Sequence, residues 1–129
     1  MPAPPQPLKV FKRAIAAYES GNLAKTAEFC WATIERVPDH FDALYLLAVV
    51  TSRRGAPAKA LGIFDKAVAL RPGNAEILVN RASALTELEC HEEALKDYDK
   101  ALELAPSHAL ARNGRGNVLM RLKRFEGRS

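Results

Sequence analysis

From Ala75 to Pro106 the chain reads AEILVNRASALTELECHEEALKDYDKALELAP, and its apolar residues fall into two runs of helical period. Leu78, Ala82 and Leu85 recur at steps of three and four, which stacks them on one face of a helix. Ala94, Leu95, Tyr98, Ala101 and Leu102 do the same in the second run. Two such helices with a turn between them predict an antiparallel pair, because neither apolar face is stable in water. The figure returns upstream as AKALGIFDKAVALRP, where Ala60, Phe64, Ala67 and Pro72 precede Ala94, Tyr98, Ala101 and Pro106 by 34 residues. Pro38 lies another 34 before Pro72. A fixed period of this size predicts stacked helical hairpins.

Residues 1–7 are proline-rich and expected to be extended, leading into a first helix over Leu8 to Glu19 with Leu8, Phe11, Ala14, Ile15 and Tyr18 on one side. Ser20, Gly21 and Asn22 stop it. A second helix follows from Leu23 to Val37, and two registers fit it. Alignment on Pro38 puts Thr26, Cys30 and Thr33 inside, which makes this the loosest hairpin; a slip of one residue puts Ala27 and Trp31 there instead. Trp31 accordingly reads either as interhelical packing or as an exposed binding aromatic. The second repeat opens at Phe41 with Leu44, Leu47, Ala48 and Thr51 along its inner edge. Gly55 ends that helix and Pro57 starts the next. The turn at Glu89 to His91 lacks glycine, and a different loop shape is expected there. The last helix places Arg112, Arg115, Gly116 and Leu119 where the third repeat has Leu78, Arg81, Ala82 and Leu85, and no partner helix follows to cover it.

The expected layout is a proline-rich extension (1–7), repeats over about 7–40, 41–74 and 75–108, and a terminal helix over 109–122. Residues 123–129 are a tail or the start of a further helix, in which case the chain is a piece of a longer array.

Composition narrows the function. The chain has 129 residues, 48% apolar and 26% charged, which is ordinary for a folded domain. Its formal charge of +4 is too small to imply nucleic acid without a focused patch. Basic groups do collect at one end: Arg112, Arg115, Arg121, Lys123 and Arg124 follow an acidic stretch from Glu87 to Glu103, a polarity suited to orienting an acidic partner or to an ordinary solvated helix. Only Phe125 interleaves with them, so no nucleic-acid partner is expected. The N-terminal MPAPPQPLKV resembles neither a signal peptide nor a membrane span, and a cytoplasmic location without a membrane partner is the expectation. Cys30 and Cys90 are too few and too far apart for a disulfide scaffold or a metal site. His40 and His108 share a repeat position in the turns, and His91 sits at a helix start. No metal, phosphate-loop or nucleophile motif is present, so neither enzyme activity, a cofactor nor a small-molecule substrate is expected.

These residues resemble the tetratricopeptide repeat. That pattern has small residues at repeat positions 8, 20 and 27, an aromatic at 24 and proline at 32. Here position 8 is Ala14, Ala48, Ala82 and Gly116; position 20 is Ala60 and Ala94; position 24 is Phe64 and Tyr98; position 27 is Ala67 and Ala101; and position 32 is Pro38, Pro72 and Pro106. Small residues let helix axes approach closely. The resemblance implies an all-α, right-handed superhelix of antiparallel hairpins, about three repeats plus one unpaired terminal helix. LVNRASAL and RNGRGNVLMRLKRFE resemble bacterial repeat proteins related to the non-catalytic repeat region of O-linked N-acetylglucosamine transferases, although only Asn80 matches their asparagine ladder.

The resemblance also implies a function. First helices of the hairpins line the concave surface in this family, which binds protein segments. The corresponding residues here include Phe11, Ile15, Tyr18, Tyr45, Val49, Arg53, Val79, Ser83, Asn113, Asn117 and Arg121, with Asn80 beside them. Phe11, Tyr45, Val49 and Val79 form an apolar stripe suited to a peptide or helix. The family's carboxylate clamp needs lysine and asparagine where this chain has Phe11 and Ile15. Two alternatives are homo-oligomerisation through the terminal helix and service as the repeat region of a larger glycosyltransferase.

Overall fold

The computed structural model describes residues 7–126. Among them the elements are all α-helical: α1 (Pro7–Glu19), α2 (Leu23–Arg36), α3 (Phe41–Arg53), α4 (Pro57–Leu70), α5 (Ala75–Glu87), α6 (His91–Leu104) and α7 (Ala109–Glu126). Helices α1–α2, α3–α4 and α5–α6 pack as hairpins, α2 also packs on α3, and α7 packs on α6 and α5. The chain divides after Leu70 into two compact units, α1–α4 and α5–α7. The apolar spacing thus corresponds to about three repeats and a terminal helix. Helix α7 continues unbroken to Glu126, so residues 123–126 belong to it and do not open a new helix. The expectations for residues 1–6 and 127–129 lie outside the described residues.

The repeat period is written most plainly in the turns. His40, Asn74 and His108 are 34 residues apart and each accepts a hydrogen bond from the backbone N–H three residues on: Ala43 at 3.1 Å, Ile77 at 3.0 Å and Ala111 at 3.3 Å. Each satisfies one of the free donors at a helix start. Because Nδ1 of His108 accepts, its Nε2 carries the proton and donates to Glu76 at 2.6 Å. Within the hairpins, Gly21, Gly55 and Glu89 hold equivalent places with φ of 81°, 85° and 62°. All three close the same turn, their N–H groups donating to Tyr18, Ser52 and Thr86. The glycine-free loop therefore has the shape of the other two, contrary to expectation, because Glu89 itself adopts the left-handed conformation.

In the first unit the Pro38 alignment holds. Thr26, Cys30 and Thr33 are fully buried, whereas Trp31 is 52% exposed. Threonine substitutes for alanine here because its hydroxyl donates within its own helix, Thr26 to the Asn22 carbonyl and Thr33 to that of Phe29, both at 2.8 Å. The first hairpin is consequently not loose: Ala14, Ala27 and Cys30 join Phe11, Ala43, Leu47 and Val50 in one core cluster. Full burial of a side chain such as Leu47 contributes roughly 2 kcal/mol. The reading of Trp31 as a packing group gives way to the exposed one.

In the second unit, Arg81 on α5 grips Asp97 on α6 with two bonds, Nε to Oδ2 at 2.8 Å and Nη2 to Oδ1 at 2.7 Å. The planar guanidinium matches a carboxylate in this bidentate way and compensates its burial. Tyr98 lies on Gly114 of α7, where an added Cβ would fall 2.6 Å from the phenolic oxygen. Glycine thus sets how closely α6 and α7 approach. The inward residues of α7 are Ala111 and Val118, both fully buried. Arg112 and Gly116, which align with buried Leu78 and Ala82, are exposed, and Leu119 is 37% exposed. That side corresponds to the one through which α5 meets α6.

Candidate binding surface

The first unit contributes α1 and α3. Ile15 is 40% exposed, and Tyr18, Tyr45 and Val49 are half-buried. The guanidinium of Arg53 stands 5.3 Å above the Tyr18 ring, a cation–π contact that joins the C-terminal ends of the two helices. Tyr45 meets Phe41 edge-on, with ring centroids 5.9 Å apart, so its orientation is fixed by packing. Phe11 behaves differently. It is 9% exposed, packs in the core and tilts against the His40 ring at 4.8 Å, so its side chain belongs to packing rather than to the exposed stripe.

The second unit contributes α5 and α7. Ser83 is exposed, as are Asn113, Asn117 and Arg121, which share one stripe of α7 at four-residue steps. Asn80 is half-buried and its amide donates to the Glu76 carbonyl at 3.1 Å. Val79 is 7% exposed: α5 packs on both α6 and α7, which widens its buried arc beyond what a single partner needs. The exposed surface here is amide-rich, while that of α1 and α3 is apolar and aromatic.

Two groups show perturbed proton affinity. Burial pushes the Cys30 thiol up to about 12, and Cys30 and Cys90 are both free thiols. Burial also raises Tyr98, opposed by its hydrogen bond with Thr86 and reinforced by the Asp97 charge. Neither lies on an open surface with a nucleophile or base to work with. His40 and His108 are helix caps, and His91 is 6% exposed. Among the described residues no group of three His, Cys, Asp or Glu is placed to hold a metal ion, and no helix is long and apolar enough to cross a membrane. Of the basic end, Arg115 is engaged with Asp99 at 2.6 Å, an exposed pair of small energetic weight. Sequence reasoning missed the Arg81–Asp97 clasp and the contact of Tyr98 with Gly114. The charge pair was visible as opposite charges 16 residues apart, and the glycine as a small residue inside a helix.

Comparison with known proteins agrees with this architecture. Models of the tetratricopeptide repeat match residues 11–75 and 75–108. The inactive TPR repeat-containing thioredoxin TTL3 of Arabidopsis thaliana is 38% identical over 74 residues, which is 57% of this chain and 11% of that protein. The chain spans about a tenth of the length of the curated relatives it matches. Among solved structures, the first TPR of Spaghetti (RPAP3) superposes with a TM-score of 0.87 at 23% identity, covering 91% of this chain and 93% of that one. The O-GlcNAc transferase of Thermobaculum terrenum superposes with a TM-score of 0.80 at 28% identity, over 88% of this chain but 22% of the transferase. The likeness extends to a repeat array, and among the described residues every helix of this chain is part of that array. With more than half its length matched by one repeat model and the 34-residue period visible in caps, turns and core alike, this chain belongs to the tetratricopeptide repeat family.

Proposed function

We propose that this chain is a protein-interaction module whose first helices hold an extended segment or a helix of a partner protein. The observation that carries the reading is the surface of α1 and α3: Ile15, Tyr45 and Val49 present apolar area beside the Tyr18–Arg53 stack. Aromatic, aliphatic and arginine side chains held in place by packing are the composition of a binding hot spot. On α5 and α7, Ser83, Asn113, Asn117 and Arg121 offer hydrogen bonds suited to a peptide backbone. The Spaghetti domain is described as bound to the HSP90 peptide SRMEEVD, which supports peptide binding as a use of this fold. Recognition here differs at the first hairpin: the clamp's lysine position is buried Phe11 and its asparagine position is Ile15, so this end favours an apolar side chain over a carboxylate.

Selection of peptides from a random displayed library on the purified chain tests the proposal. A selected peptide is expected to bind wild type saturably and to lose at least about tenfold in affinity on Ile15→Asp or Tyr45→Ala. A selection that yields only peptides binding both variants as well as wild type would overturn it.

A further inference from the structure

A second surface, whose lining includes none of Ile15, Tyr18, Tyr45 or Val49, lies wholly inside the first unit. Between α2, the α3–α4 turn and α4 there is a depression of about 390 Å³. That is within the range of pockets that hold ligands, about 300–1,000 Å³. Its apolar lining comes from Ala27, Trp31, Ala56 and Ile63, and its charged lining is Arg54 and Lys59, with no carboxylate. Trp31 is 52% exposed, an unusual position for the single tryptophan of a chain with ample core. Arg54 and Lys59 are exposed and make no ion pair among the described residues.

The floor has little to offer a polar ligand. Thr51, which also lines it, donates its hydroxyl to the Leu47 carbonyl at 2.7 Å, and the Ala56 N–H is spent on the Thr51 carbonyl at 3.1 Å. An occupant must therefore bring an apolar group for the indole and negative charge for the rim. One aromatic with two cations is no track for a nucleic-acid strand. We propose that this depression is a second docking site, which takes an acidic peptide segment carrying one apolar anchor side chain. The anchor packs on Trp31 and its flanking carboxylates meet Arg54 and Lys59.

Trp31 reports on its own site. The capped pentapeptide Glu-Asp-Leu-Glu-Asp, titrated into the full chain, is expected to shift tryptophan emission to the blue saturably as the indole leaves water. The neutral analogue Gln-Asn-Leu-Gln-Asn and the anchorless Glu-Asp-Gly-Glu-Asp are each expected to bind at least about tenfold more weakly. The double variant Arg54→Glu/Lys59→Glu, both exposed positions, keeps the wild-type circular dichroism and loses the response, whereas Tyr45→Ala retains it. The proposal is overturned by no saturable shift up to millimolar peptide, by equal binding of the neutral analogue, by an undiminished response in the charge-reversed variant, or by an oligothymidylate that binds more tightly than the acidic peptide.

Discussion

Glu89→Gly is expected to stabilise the protein, against the usual direction of a substitution to glycine. Glu89 sits at φ 62°, where its repeat equivalents are Gly21 and Gly55. An L residue in this region costs roughly 1–2 kcal/mol, and glycine adopts it freely. Glycine is also freer in the unfolded chain, which offsets roughly 0.5–1 kcal/mol of the gain. The net expectation is about 0.5–1 kcal/mol, or about 2–6 °C in Tm for a domain of this size. Glu89→Ala separates backbone from charge: it removes the carboxylate beside α6 but keeps a Cβ, so it should leave stability within about 0.5 kcal/mol of wild type or lower it. Gly21→Ala and Gly55→Ala should each cost about 1–2 kcal/mol, and since no atom lies within 4 Å of an added Cβ, that cost is conformational. Urea titration by circular dichroism measures all four, with an unchanged slope as the sign that only stability moved. The reasoning fails if Glu89→Gly does not exceed Glu89→Ala.

Other sites give independent tests. Gly114→Ala forces Tyr98 aside and should cost about 1–3 kcal/mol despite alanine's better helix propensity, and less in a Tyr98→Ala background; equal costs in both would disprove the contact. His40→Ala should lose about 1 kcal/mol of cap energy, while His40→Asn, the residue the second turn uses at Asn74, should hold wild-type stability. A thiol reagent should label half-exposed Cys90 rapidly and fully buried Cys30 only after denaturation. Because burial raises Cys30 from 9.0 to about 12, its neutral form favours the folded state: that contribution is complete below about pH 9 and declines as pH rises toward 12. Equal labelling of both thiols in the folded chain would contradict the burial.

Much of the fold was legible because the period is repeated in residues that act locally. Pro38, Pro72 and Pro106 stop helices by their own chemistry, and alanines at fixed spacing mark where axes approach. Packing between helices was less legible. The alternatives of Trp31 and Cys30 differ by one residue in register, and an apolar pattern does not say that a threonine hydroxyl can be satisfied inside its own helix and so be buried. Phe11 and Val79 went to the core for a related reason: each lies on a helix with a wide apolar arc, and the pattern does not tell which part a neighbour covers. The loop at Glu89 was misjudged because turn residues reveal preference, whereas the surrounding hydrogen bonds impose conformation.

The central claim is that first helices do the binding, and an amide-resolved NMR titration of the labelled chain with a selected peptide addresses it most directly. The account predicts that the largest shifts fall on Ile15, Tyr18, Tyr45, Val49 and Arg53, or on Ser83, Asn113, Asn117 and Arg121, and that Ile15→Asp or Tyr45→Ala abolishes them. Shifts confined to α2, α4 and α6, unaffected by those variants, would contradict it.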